Sequence, residues 1–322
     1  MIRARDRETT APGLRKVAVA LMAVVALTGI AGRSAVYAQD LTIGLMPAMD
    51  SVPLLIAQDQ GFFEDEGISV DLRIFRNQLY RESALQTNEI DGSISDLINA
   101  VYNWRAGIGI RVGSITDGHF ALVTAPDSGI LSVADWNRAG SVSVGLLENS
   151  IIFYVAERML EEIGGDADGI DIIRTLQVPV RLEMVASGRI EAALLPEPVA
   201  QVAVERGAGS LVDTTVLDQT PGVLLFTDRA MSTKDAEIRA LYRAYNRAVE
   251  VVNADPDRFR PAIVRLGEFP PVVEDSMFIP TYQPARPPTP AELADVTAWM
   301  VEKGLLEREP AYRDVVAPDL VP

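Results

Sequence analysis

Reactive side chains are scarce in this chain. Cysteine is absent and His119 is the single histidine, which excludes disulfides, thiolate nucleophiles and Cys/His metal sites, and no Asp-rich calcium loop is visible. A Ser-His-Asp hydrolase would have to use His119 in "DGHFAL", yet no Gly-x-Ser-x-Gly turn accompanies it. What remains is a set of polar residues in five loops: Met46, Pro47, Asp50 and Ser51; Ser95 and Asp96; Thr116 and Asp117; Glu148, Asn149 and Ser150; and Glu197 between two prolines. Their chemistry is hydrogen bonding, with no catalytic residue and no metal or cofactor implied. Carboxylates accept from amines and ring nitrogens and repel anions. None of the five loops contains Lys or Arg, so the expected ligand is a small neutral or cationic molecule. The competing reading leaves the acids facing solvent and lets the backbone amides at Ser51 and Ser150 hold an oxyanion. Ser51, Asp96 and Ser150 also stand where helix N-caps stand. Tyr282 in "FIPTYQPA" is a candidate lid aromatic that stacks on a ring, against the alternative of packing on its own lobe.

Each loop follows a strand. Leu41, Ile43 and Leu45 alternate as strand residues do; Pro53 suits a helical first turn, and Gly61 stops that helix. After "GFFEDEG", Val70, Leu72 and Ile74 alternate again. A helix through Ala84 and Leu85 precedes "EIDGSISD", where Asp96 opens the next helix. "SVSVGLLENSIIFYVAERMLEEIGG" repeats strand, loop and helix, and "RIEAALLPEP" and "GVLLFT" are further short apolar strands. Helices follow in "KDAEIRALYRAYNRAVEVVNADP" and in "PAELADVTAWMVEKG", with Thr289 as cap of the second. The βα rhythm predicts an α/β fold with largely parallel sheet. No internal repeat is visible.

The chain has 322 residues, 48% of them hydrophobic, enough for two globular units. Arg3, Arg5, Arg7, Arg15 and Lys16 precede an apolar run from Val17 to Ala31, and Val36 and Ala38 are small enough for cleavage. About 15 apolar residues fall short of a membrane span, so residues 1–38 are expected to be a signal peptide and the mature chain periplasmic. Without the leader's six Lys/Arg and two Asp/Glu, 23 basic residues face 43 acidic ones, a net charge of about −20 that makes nucleic acid an improbable partner.

"LTIGLMPAMDSVPLLIAQDQGFFEDEGISVDLRIF", "ALQTNEIDGSISD", "SGILSVADWNRAGSVSVGLLENS", "RIEAALLPEP" and "AYNRAVEVVNADPDRF" resemble, in this order, signatures of substrate-binding proteins from bacterial ABC importers. The similar subfamily serves sulfonates, nitrate and thiamine pyrimidine precursors. The resemblance implies a type II periplasmic binding protein fold: two α/β lobes, each a mostly parallel sheet flanked by helices, joined by two hinge crossings with ligand between them. The crossings are expected near 121–127 and 222–228, giving lobe one as 39–122 with 228–322 and lobe two as 123–227. It further implies a monomer that hands a small molecule to an inner-membrane ABC permease. With acidic loops, the ligand expected is an aromatic heterocycle such as a thiamine pyrimidine precursor. Alternatives are a sulfonate, nitrate or similar anion, or an exported ligand-sensing domain. Enzymes resembling this fold need more than the chain offers: thiamine-pyrimidine synthases use a cofactor lysine and several histidines, against His119, Lys234 and Lys303 in the mature chain, and porphobilinogen-polymerising enzymes use a cysteine, which is absent.

Overall fold

The computed structural model describes residues 40–175 and 177–322; the expected signal peptide lies outside them. Strand β1 (Leu41–Leu45) buries Leu41, Ile43 and Leu45 fully, and the chain then turns into helix α1 (Val52–Asp59) with Pro53 in its first turn. Gly61 ends that helix at φ 72°, a left-handed conformation that costs a residue without Cβ little. Helix α2 (Phe62–Asp65) sets Phe63 into the core before β2 (Val70–Ile74), which pairs in parallel with β1, Leu41 opposite Val70. Helix α3 (Gln78–Gln86), β3 (Gly92–Asp96), α4 (Leu97–Arg105) and β4 (Ile110–Ile115) complete the first run.

A second run repeats the pattern: β5 (Phe120–Thr124), α5 (Val133–Ala139), β6 (Val142–Leu146), α6 (Ile151–Glu162), β7 (Ile170–Arg174), α7 (Val178–Ala186), β8 (Ala192–Pro196), α8 (Val199–Glu205) and β9 (Gly209–Asp213). The chain returns through β10 (Gly222–Thr227) and then stays helical: α9 (Asp228–Thr233), α10 (Asp235–Ala254), α11 (Pro256–Leu266), α12 (Pro290–Glu302) and α13 (Tyr312–Val315). The amphipathic face of α10, with Ile238, Leu241, Tyr245 and Val249 buried, packs on α1. Thr289 caps α12 through a full capping box with Glu292. Among the described residues no helix is long and apolar enough to cross a membrane.

The strands form two five-stranded sheets, in the orders β2-β1-β3-β10-β4 and β7-β6-β8-β5-β9. In each, one strand runs against the other four: β10 pairs antiparallel with β3 and β4, and β5 with β8 and β9. The runs read from sequence as crossings are therefore inner strands. Residues 121–122 belong with the second sheet and 222–227 with the first, and the chain passes between sheets at 116–119 and 214–221. A short, fully apolar run announces a buried strand but not which sheet it enters.

The two runs are also an internal repeat, contrary to the sequence expectation. Strand β1 matches β6, β2 matches β7, α3 matches α7 and β3 matches β8 in order and pairing. A Cβ on Gly44 would lie 2.6 Å from Ile90 Cδ1 and 3.3 Å from Arg81 Cγ; on Gly145 it would lie 2.6 Å from Ile190 Cδ1 and 3.6 Å from Arg181 Cγ. The Thr42 amide donates to Asp91 at 2.9 Å, and the Ser143 amide to Glu191 at 2.8 Å. Few identities survive between the halves, so the repeat is carried by geometry more than by letters.

Candidate ligand cleft between the lobes

Parallel strands point their carboxyl ends and the following helix N-termini at one edge, which is where α/β sheets hold ligands. Here both sheets bring such edges to a common cavity of about 210 Å³. The first lobe contributes Met46, Pro47, Ala48 and Asp50 after β1, Arg76, Gln78 and Arg81 around the start of α3, and Ile94, Ser95 and Asp96 from β3. The second contributes Phe120, Ile151, Ile152, Val178, Pro179, Arg181, Pro196 and Val199. A larger recess of about 440 Å³ lies along α6, α12 and the second crossing. Its main polar groups are already paired, Asp295 accepting from Tyr154 and, at 3.1 Å, from Arg158.

The first-lobe wall carries acid held in check. Burial is the main cause that pushes the Asp50 carboxyl up to about 6, opposed by the nearby Arg81 guanidinium, and Asp50 Oδ1 has no hydrogen-bond partner among the described residues. Asp96 is likewise pushed up to about 6 by burial, although it accepts from the Asn99 amide at 2.8 Å and from Asn99 Nδ2 at 2.6 Å. Beneath them Arg81 is neutralised: its Nη2 donates to Glu82 Oε1 at 2.6 Å and to Ser95 Oγ at 3.2 Å, and Ser95 donates to Glu82 at 2.8 Å.

The second-lobe wall is apolar except for Arg181. That residue is 3% exposed, its Nε has no partner, and no described carboxylate lies within salt-bridge distance of it. Burial alone pulls its guanidinium down to about 10, so it is still a cation at neutral pH. Arg76, at the rim, is exposed and paired with Glu268.

Of the residues expected from sequence, Met46, Pro47, Asp50, Ser95 and Asp96 line this cavity. Asn149 and Ser150 line a smaller recess beside α3, of about 140 Å³. Asn149 sits at φ 57° and its carbonyl accepts from Tyr102, while Ser150 Oγ donates to the Leu147 carbonyl and makes no cap bond. Ser51 also makes no cap bond; its Oγ donates to the Met46 carbonyl at 2.8 Å and so fixes the β1 loop. Thr116 is buried in the first crossing, and Asp117, beside it, accepts from the Gln283 amide at 2.8 Å with its carboxyl pushed up to about 6 by burial. Glu148 faces solvent. Glu197 is buried outside the cavity lining, accepts from the Gln201 amide at 3.2 Å, and is pushed up to about 7 by burial. Tyr282 packs in the first lobe, donating to the Met49 carbonyl at 2.9 Å.

The five loops are free of Lys and Arg, but Arg81 and Arg181 reach the cleft from helices that follow the edge strands β2 and β7. A signal was present. Arg181 stands three residues after Val178 and four before Val185, on the apolar stripe of α7, where an arginine needs a reason.

Two α/β lobes with two crossings and a cavity between facing strand ends define a periplasmic binding protein fold. The family model described as NMT1/THI5 like matches residues 48–259, and the chain belongs to that family. No protein of curated function matches it in sequence. Among solved structures, it is similar to the zinc-bound ligand-binding component of an ABC-type import system from Staphylococcus aureus (TM-score 0.73, 16% identity, 88% of this chain and 98% of that one). It is similar also to the periplasmic aliphatic sulphonate binding protein SsuA from Escherichia coli (0.71, 16%, 86% and 91%). A third neighbour is the desulfurization enzyme DSZB (0.62, 16%, 87% and 97%). One fold thus hosts metal, anion and catalytic chemistry, and only the site can choose among them. Among the described residues no group of three or more His, Asp or Glu is placed to hold a metal ion.

Proposed function

We propose that this chain is the periplasmic solute-binding subunit of an ABC importer, which captures one small organic molecule between its lobes and presents the closed form to an inner-membrane permease. The observation that carries the reading is the cavity itself: each wall comes from a different lobe, so a ligand touching both walls favours closure about the 116–119 and 214–221 crossings. Asp50 and Asp96 favour a molecule with hydrogen-bond donors on the first-lobe side, as an aminopyrimidine-type heterocycle has, and the apolar second-lobe residues favour a ring face. Binding fits the lining, whose titratable groups are two buried acids and three arginines and whose one hydroxyl, Ser95, is engaged with Glu82 and Arg81.

The test is a thermal-melt screen of purified exported protein against vitamins, amines, sulfonates and oxyanions. A true ligand at about 100 times its Kd should add about 2.7 kcal/mol of stability and be recovered chemically unchanged. No shift across the panel, or conversion of the solute, would overturn the proposal.

A further inference from the structure

We infer that α12 and α6 form a latch between the lobes, which raises the share of chains with the cleft shut before any solute arrives; the inference rests on the lobes moving about the crossings and on no particular solute. Helix α12 is fixed to the first lobe. The Ile115 amide donates to the Arg286 carbonyl at 2.9 Å, the Arg286 guanidinium grips Glu292 at 2.7 and 2.9 Å, and α12 packs on α4 with Leu293, Val296 and Met300 buried. Asp295, Trp299 and, one residue past the end of α12, Lys303 stand at every fourth position and so make an adjoining stripe. That stripe meets the second lobe. Tyr154, Glu157 and Arg158 present one face of α6 to it. Glu157 is buried and accepts from Trp299 Nε1 at 2.7 Å and from Lys303 Nζ at 2.6 Å, so both carboxylate oxygens are used. Asp295 accepts from Tyr154 and, at 3.1 Å, from Arg158 Nη2. The Trp299 ring stands edge-on to Phe153 and Tyr154, at centroid distances of 5.9 and 5.4 Å.

Each of these contacts joins one lobe to the other, and none of the residues that make them lines the ligand cavity. Beside the cleft the lobes touch again, where Tyr102 on α4 donates to the Asn149 carbonyl at 3.3 Å. Parting α6 from α12 would uncover a buried indole and strip a buried carboxylate of both its donors, which is costly. The arrangement so favoured is the one that brings both walls to the cavity. A solute that binds only shut lobes is held in proportion to the fraction of chains already shut, so the latch adds to affinity without touching the solute.

The experiment places spin labels at Tyr80→Cys and Val180→Cys, exposed on opposite sides of the cleft, and measures their separation by pulsed electron resonance in chain refolded from urea, which strips bound solute. Asp295→Arg and Lys303→Met should each lengthen the separation and broaden its distribution. Adding Arg158→Asp to Asp295→Arg, which restores the pair with its charges exchanged, should bring the separation back. Glu161→Gln, which removes the Arg158 partner inside α6 and nothing in α12, should leave it unchanged. Melting of each variant establishes that it is folded; Trp299→Phe, which keeps a ring and loses the donor to Glu157, stands in for any that is not and should also lengthen the separation. Separations that match the wild type in the folded latch variants, or a lengthening that Arg158→Asp fails to reverse or that Glu161→Gln reproduces, overturn the latch. Because no solute is added, these outcomes leave the solute-binding reading to its own test.

Discussion

Four carboxyl groups near the cleft and the crossings are held protonated further up the pH scale than usual: Asp50, Asp96 and Asp117 to about 6 and Glu197 to about 7, burial being the largest cause in each. The unfolded chain loses these protons near the ordinary values of 3.8 and 4.5. Their contribution to folding is therefore fully present below those values and is lost as pH rises through about 6 to 7. We expect the melting temperature of the ligand-free chain to fall between about pH 4 and about pH 7, with Asp96→Asn and Glu197→Gln each flattening the decline. A pKa gap of this size corresponds to at most about 3 kcal/mol per group. The two variants should separate in binding: Asp96→Asn weakens the solute by about 1 to 3 kcal/mol, whereas Glu197→Gln, outside the cavity lining, leaves affinity unchanged. A melting temperature that rises over this pH range, or affinity lost in Glu197→Gln alone, contradicts the assignment. The acids were legible because they stand directly after strands. Arg81 and Arg181 were not, because attention to loops passes over helical residues that point into a cleft only once two edge strands are placed.

Single elements read well where local chemistry decides them and poorly where pairing does. Gly61 and Thr289 announce a helix end and a helix start whatever surrounds them. "GVLLFT" announces a buried strand, but its place between β3 and β4 depends on partners more than a hundred residues upstream. Gly92 tests that placement. A Cβ there would lie 2.8 Å from the Leu225 carbonyl oxygen and 2.8 Å from Phe226 Cδ1, both in β10, and Phe226 is fully buried. Gly92→Ala should therefore cost about 1 to 3 kcal/mol in urea unfolding, as overpacking of a close-set core does. A neutral substitution would mean that β10 does not pack against β3.

At the scale of the molecule, the two crossings link sheets of the same topology, and the matched α3 and α7 flank the cleft from opposite lobes. The α/β class and the order of elements were written in the periodicities; the repeat was not, since a glycine, an arginine and an isoleucine in register are too few letters to see without the fold. The chain's lack of cysteine allows clean labelling at chosen sites. Tyr80 and Val180, exposed in the first turns of α3 and α7, are suitable positions. The most direct test is the distance between spin labels at Cys introduced at these two positions, measured by pulsed electron resonance with and without the solute found by the melting screen. Capture between closing lobes requires that distance to shorten and its distribution to narrow as solute saturates. A solute that binds tightly and leaves the distance unchanged would contradict it.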